Sequence, residues 1–361
     1  MRNLSELKEL LSSPKKIVIT THHKPDADAL GSSLALWGYL RKKGHQVKVV
    51  TPTDYPSFLN WMHGQDEVII FNKDKEHEEL SAKLTKEADV IFCLDFSALN
   101  RINEFGELVR QSEAIKVLID HHLEPEHFAV FEFSDTNAAA TAVLVYKIIV
   151  GMGDKEYLDT CIGECLYAGI MTDTGSFRHA NTNREVHLII AELLGLAVDI
   201  TKIHRLIYDN NAESKLRFLG YVLLNELHVL AGYNTAYISV NAEELKRFGS
   251  KTGDTEGFVN FALSVEGVVF AALIIERDDA VKLSFRSKGE FSVSEFARKH
   301  FAGGGHLNAS GGKSDRNLED TIKKFVECLP EYKEELLKEY KTEKHSEYLL
   351  DSGSPVKTAS T

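Results

Sequence analysis

Acids and histidines recur in this chain at one kind of place, just after short apolar runs. Lys16 to Thr20 is followed by His22, Asp26 and Asp28 within THHKPDADALGS, Val90 to Leu94 by Asp95, and Lys116 to Ile119 by Asp120, His121 and His122. A further segment, YAGIMTDTGSFRH, sets Asp173 past an apolar helical stretch, with small residues behind it. Gathered in one place at neutral pH, these carboxylates would repel one another unless cations sat among them. Mixed oxygen and imidazole donors suit Mn2+ or a similar ion, and the chain lacks a thiolate set for zinc. Paired catalytic ions lie roughly 3.5 to 4 Å apart and require about seven or eight protein contacts, one carboxylate being shared. The residues meet that requirement, and the predicted chemistry is that of a two-metal site.

These positions converge only if the runs are neighbouring strands. The first half alternates apolar runs with amphipathic stretches, which predicts an α/β fold with a parallel sheet and crossover helices. Strands are expected at Lys16 to Thr20, Gln46 to Val50, Glu67 to Ile70, Val90 to Leu94 and Lys116 to Ile119, and helices at Ala29 to Lys43, Ala139 to Val150 and Asp154 to Met171. In such a sheet the loops leaving the strand ends form a crevice at one edge, which brings residues distant in sequence together. Around residues 181–211 the strand pattern gives way to helix. Beyond it, strands are expected at Thr235 to Val240, Val268 to Ile275 and Val281 to Arg286, with helices near Ala242 to Phe248, Val293 to Lys299 and Leu318 to Cys328. The expected organisation is a catalytic domain over residues 1–185, a helical connector over 186–212, a smaller α/β substrate-binding domain over 213–342 and a disordered tail over 343–361.

Composition narrows the partners. A net charge of -12 over 361 residues argues against a protein that grips long nucleic acid, which asks for a basic face. Small anionic substrates remain open, since a local basic site or bound ions override the global field. Cys93, Cys161, Cys165 and Cys328 form neither a disulfide framework nor a metal-binding pair. No apolar stretch reaches the roughly 18 residues of a membrane span, so a cytoplasmic protein with no membrane partner is expected.

The second region carries its own signal, Gly303-Gly304-Gly305-His306 followed by Asn308-Ala309-Ser310-Gly311-Gly312. A glycine run is by itself either a flexible turn or a cradle whose amides approach a phosphate unobstructed by Cβ. His306 and the strand-end Arg286 would add charged donors, although such an arginine often forms a surface ion pair. Arg101, six residues after Asp95, reaches a substrate phosphate or caps the following helix. Phe177 and Arg178 either stack on a base or pack as ordinary neighbours of Asp173.

Taken together and in order, His22-x-x-Pro25-Asp26-x-Asp28, the isolated Asp95, Asp120-His121-His122 and Asp173 resemble the four motifs of the DHH phosphoesterases. The glycine segment resembles the signature of the DHH-associated C-terminal domain, so the likeness spans about residues 20–312. The size matches the subgroup of nano-RNases, the bifunctional oligoribonucleases and 3'-phosphoadenosine 5'-phosphate (pAp) phosphatases. The resemblance implies that His22 and Asp26 hold one ion, that Asp28, His121 and Asp173 hold the other, and that Asp95 bridges them. It implies that His122 orients ligands or meets the substrate phosphate, that Asp120 supports the histidines, and that Gly303, Gly304, Gly305, His306 and Arg286 bind substrate from the second domain. Two Mn2+ ions are the implied cofactors, with Mg2+ or Co2+ as substitutes. Short RNA and pAp rank first as substrates, cyclic or linear dinucleotides second and polyphosphate last, while a non-catalytic nucleotide receptor, which could lose metal ligands and keep the cleft, is disfavoured by the intact set. A homodimer is compatible with this reading.

Overall fold

The computed structural model describes residues 4–251, 253–278 and 280–339. The chain forms two compact units, the first ending at Asn210 and the second starting at Asn211.

The first unit runs α1 (Leu4–Leu10), β1 (Lys16–Thr21), α2 (Ala27–Lys42), β2 (Gln46–Thr51), β3 (Ile69–Ile70), α3 (Lys75–Glu87), β4 (Val90–Leu94), α4 (Phe105–Gln111), β5 (Ile115–Asp120), β6 (Phe131–Ser134), α5 (Thr141–Gly151), α6 (Thr160–Asp173), α7 (Arg184–Leu194) and α8 (Ile200–Tyr208). Its six strands lie in the order β3-β2-β1-β4-β5-β6 and every pairing is parallel. Successive strand residues feed opposite faces. Ile17, Ile19, Phe92 and Val117 join one core beneath α2, α5 and α6, and Val18, Ile91, Cys93 and Leu118 join another on the face of α3 and α4. Burial on both faces explains why the strands read as unbroken apolar runs. From β1 the chain moves outward through β2 and β3, then returns to pair β4 on the other side of β1. Strand order therefore reverses between β1 and β4, the place where open α/β sheets bind ligands.

Several elements depart from expectation. The strand expected over Glu67 to Ile70 is a 3-10 turn at Gln65–Glu67 followed by a two-residue strand. The helix expected from Asp154 begins at Thr160, because Asp159 caps it by accepting from the Ile162 amide. The stretch expected as a connector forms most of α7 and α8, whose Val186, Ile189, Leu193, Ile203 and Ile207 enter the first unit's core.

The second unit comprises α9 (Glu213–Asn225), β7 (Leu227–Leu230), β8 (Thr235–Val240), α10 (Ala242–Arg247), α11 (Phe258–Leu263), β9 (Phe270–Glu276), β10 (Val281–Ser287), α12 (Val293–His300), β11 (Gly304–Gly305), β12 (Ala309–Ser314) and α13 (Leu318–Cys328). Its mixed sheet has the order β11-β12-β10-β9-β8-β7. Phenylalanines 270, 285, 296, 301 and 325 fill one face, and Phe218, Phe258 and Leu273 fill the other. Among the described residues no helix is long and apolar enough to cross a membrane. The tail expected over residues 343–361 lies outside the described residues.

Candidate metal centre

Parallel strands deliver their following residues to one edge, and the switch point places His22 after β1 next to Asp95 after β4. Asp95 sits at φ 65, in the left-handed region that aspartate tolerates better than most residues. The two oxygens of its carboxylate face different neighbours. Oδ2 lies 3.5 Å from His22 Nε2 and Oδ1 lies 3.4 Å from His121 Nε2. The side chain thus faces both histidines at once.

Two sets of ligand atoms meet at this carboxylate. His22, Asp26 and Asp95 form one set and Asp28, His121 and Asp173 the other, each offering atoms within 4.8 Å of one another. Asp95, Asp120 and His122 form a third such set. Each side chain is oriented by a separate local device. Asp26 caps α2, its Oδ1 accepting from the amides of Asp28 and Ala29 at 3.0 Å. That leaves Oδ2 directed to His22 Nε2, 3.9 Å away. Asp28, fully buried, caps a different helix. Its Oδ2 accepts from the Thr141 amide at 2.6 Å and its Oδ1 from the Ala142 amide at 2.9 Å, serving the first turn of α5, where Ala140 has no capping side chain. The Thr141 hydroxyl donates to Asp95 Oδ1 at 2.8 Å.

The histidines share one orientation rule. A carbonyl oxygen can only accept, so His22 Nδ1 donates to its neighbour's carbonyl at 2.9 Å and His121 Nδ1 donates to Ala138 at 3.1 Å. In the neutral ring this fixes the lone pair on Nε2, which faces the carboxylates in both residues. His122 Nδ1 meets Asp120 Oδ1 at 2.8 Å and lies 3.7 Å from Asp95. Asp173 is the last residue of α6, where the helix dipole disfavours a carboxylate, yet its Oδ2 is held 3.2 Å from His121 Nε2.

Close helix packing brings these parts together. A Cβ on Gly31 would lie 2.5 Å from the Cys165 carbonyl, and one on Gly169 would lie 2.6 Å from Asp28 Oδ1. Only glycine permits α2 and α6 to approach so closely, and the approach sets Asp28 near the end of α6.

Charge balance fits divalent ions. Burial, then the charges of Asp95 and Asp173, push the Asp28 carboxyl well above the usual range, with His121 opposing. Burial alone would lower His22, but its hydrogen bond to Asp95 and the charges of Asp26 and Asp95 raise it to about 9. His121 is likewise raised well above its ordinary value, burial being outweighed by Asp173 and Asp95. Asp95 itself is held far below the carboxylate range, burial being outweighed by the hydrogen bonds from His121 and His22. Left to itself the cluster retains protons to offset its negative charge. Two cations would do the same work with ligands already aimed.

Arg101 is exposed, and its carbonyl accepts from the His23 amide at 2.9 Å, tying the loop after β4 to the loop after β1. Arg286 lies on β10, beside Ala309 of β12 and Ala271 of β9. The glycines have a structural task that sequence reasoning did not foresee. A Cβ on Gly303 would lie 2.0 Å from the Gly311 carbonyl, and one on Gly305 would lie 2.6 Å from that of Ala309. The β11-β12 hairpin closes only without them. Gly304 differs, since the nearest atom to its Cβ would be Arg298 Nε at 3.6 Å. The His306 amide donates to Ala309 at 2.8 Å, inside the same hairpin.

Thr141, the Ala138 carbonyl, Gly31 and Gly169 escaped the sequence reading. A signal existed for Thr141, a lone hydroxyl opening an apolar helix after AAA, but nothing local names its partner.

A parallel sheet with acids and imidazoles gathered at its switch point is the frame of a metal-dependent phosphoesterase. Residues 16–170 match the DHH family, N-terminal domain, and residues 233–334 match the DHHA1 domain. The chain belongs to the DHH phosphoesterase family and is an enzyme. It is similar to the bifunctional oligoribonuclease and PAP phosphatase NrnA of Thermus thermophilus, at 32% identity over 92% of this chain and 94% of that protein. The protein of the same name from Bacillus subtilis is 27% identical over 88% of this chain and 96% of its own length. In structure the chain resembles an exopolyphosphatase-related protein from Bacteroides fragilis, with a TM-score of 0.88 and 41% identity over 92% of this chain and 97% of that one.

Proposed function

We propose that this enzyme hydrolyses short oligoribonucleotides and pAp to mononucleotides with two divalent ions, Mn2+ before Mg2+ or Co2+, in the cytoplasm. The observation that carries the proposal is the divided carboxylate of Asp95, one oxygen toward His22 and the other toward His121. The substrate class rests on the names of the full-length relatives. The four cysteines, all unpaired, suit a reducing compartment.

In this reading His22 and Asp26 would hold one ion, Asp28, His121 and Asp173 would hold the second, and Asp95 would serve both. When bound, the ions supply Lewis-acid polarisation of the phosphoryl group and acidify the attacking water. The chain's own contribution is to fix the donors in advance. The Ala138 carbonyl and the backbone beside His22 set the two imidazoles, Thr141 holds Asp95, and the α5 amides hold Asp28. His122, steadied by Asp120, orients Asp95 or meets the substrate phosphate. The second unit contributes Arg286, the Gly304 amide and His306 to a substrate phosphate. Arg101 stands at the rim of the loops after β1 and β4.

The test is a Mn2+ activity panel with pAp, short RNA, short DNA, cyclic di-AMP and polyphosphate, run on wild type and Asp95→Asn. Short RNA and pAp are expected to lead in kcat/KM. Activity of Asp95→Asn within threefold of wild type would show the centre to be misassigned. Preference for cyclic di-AMP or polyphosphate by about a thousandfold, roughly 4 kcal/mol of transition-state binding, would overturn the substrate class.

A further inference from the structure

A cavity of about 480 Å3 lies at the opposite edge of the first unit's sheet from the metal centre, where β1 and β2 begin. Its walls are Lys16–Val18 of β1, Gln46–Lys48 of β2, Leu84, Glu87 and Ala88 on the α3 side, and Arg41, His45 and Glu67. Strands of a parallel sheet run one way, so this cavity sits at the start of the strand whose far end leads to His22.

Three features of the cavity point to a ligand. The first is His45, only 6% exposed. The Lys15 amide donates to its Nδ1 at 3.2 Å, which places the ring proton on Nε2, and that buried N-H meets no hydrogen-bond partner. An unsatisfied buried donor is costly and calls for an acceptor. Burial and the charges of Lys43 and Lys15 lower the ring's pKa, so it stays neutral. The second feature is charge. Lys16, Arg41 and Lys48 face two carboxylates, and Glu67 is shared between Arg41 at 2.7 Å and Lys48 at 3.2 Å. One positive charge is left over, against the chain's net of -12. The third is an uncovered strand edge with an apolar floor. β3 pairs β2 only at Val50 and Thr51, so Gln46–Val49 has no strand on its outer side among the described residues, while Val18, Leu84 and Ala88 supply apolar surface.

We infer that this cavity is a second binding site, separate from the metal centre, for a mononucleotide. The Arg41 and Lys48 pair takes the phosphate, the apolar floor takes the planar base, and the His45 Nε2-H takes a ring acceptor. A volume near 480 Å3 falls in the range of small-ligand sites. The ligand is read from the cavity's own groups, so the site stands whether or not the catalytic reading holds.

The experiment is calorimetric titration of AMP into the full chain in EDTA, where the metal centre lacks its ions. Wild type is expected to bind one AMP. Arg41→Ala/Lys48→Ala and His45→Leu are expected to weaken it by about tenfold or more. Asp95→Asn is expected to bind as wild type does, and His45→Gln, which keeps a donor, to bind more tightly than His45→Leu. Circular dichroism melts confirm that each variant is folded. Loss of binding in Asp95→Asn but not in His45→Leu would assign the AMP to the metal centre and overturn the inference. So would inorganic phosphate binding as tightly as AMP, or no binding by wild type at millimolar AMP.

Discussion

Gly169→Ala adds one methyl group in the place where α6 meets the metal centre. Its Cβ would stand 2.6 Å from Asp28 Oδ1, 3.0 Å from the Ala142 Cβ and 3.1 Å from the Asp28 Cα, where ordinary contact starts at 3.4 Å. The carboxylate must therefore retreat by roughly 0.8 Å, with backbone behind it and the first turn of α5 beside it. The hydrogen bonds from Thr141 and Ala142 lengthen as it moves. Overpacking of this kind costs about 1 to 3 kcal/mol, and for a unit of this size about 2 kcal/mol lowers Tm by about 4 to 8 °C. A displacement near 1 Å costs catalysis about a hundredfold. The assay is Mn2+-dependent kcat/KM on a short RNA, together with metal stoichiometry by calorimetry and a thermal melt. Gly220→Ala, an exposed α9 glycine with nothing within 4 Å of its Cβ, serves as control. It should keep full activity and gain up to about 1 kcal/mol of stability. If Gly169→Ala keeps kcat/KM within about threefold, the reasoning that only glycine fits there fails.

Three other outcomes follow from the same geometry. Thr141→Val keeps the amide that serves Asp28 but removes the hydroxyl from Asp95, a buried charged hydrogen bond of about 1.5 to 3 kcal/mol, so kcat should fall by about tenfold to a hundredfold with one metal bound more weakly. The metal-free protein should lose stability as pH rises. His22 is raised from 6.5 to about 9 in the folded chain, so its contribution is complete below 6.5 and lost through about 9, and the buried Asp28 acts in the same direction. Melts with EDTA and with Mn2+ should therefore diverge more at high pH than at 6.5, and equal spacing at both pH values would contradict the charge balance described. Gly303→Ala should unfold the β11-β12 hairpin, since its Cβ would lie 2.0 Å from a carbonyl, whereas Gly304→Ala should fold normally and raise KM. An unchanged KM in Gly304→Ala would remove that glycine from phosphate binding.

The sequence was most readable where periodicity and chemistry coincide. β4 occupies the predicted Val90 to Leu94, α13 occupies the predicted Leu318 to Cys328, and the first two strands differ from expectation by one residue. Buried parallel strands are continuous apolar runs, and the acids just after them mark one sheet edge. Other elements gave weaker signals. β6 is a four-residue edge strand, and α3 is a charge-dense helix that buries only Ser81 and Thr85, so neither carries a strong apolar pattern. β12 reads ASGGKS and was seen only as a motif, because two glycines and short polar side chains give it no alternating apolar pattern. At the centre itself, residue types were legible because they share a location. The supports were not, because the Thr141 hydroxyl, the Ala138 carbonyl and Gly169 act through partners far away in the chain. Asp28 and Ala142, for example, are 114 positions apart.

That last pairing bears on the choice of an inactive form for trapping a bound substrate. The Asp28 carboxylate is also the opening cap of α5, a helix whose buried residues run from Thr141 to Ile149. Removing it withdraws a proposed metal ligand and a helix start in one step, and the resulting loss of turnover would report a disordered core as readily as a missing ion. Asp173, at the far end of its own helix and 23% exposed, caps nothing. A trap built there leaves the scaffold standing, and what it then holds is the protein's own choice of substrate.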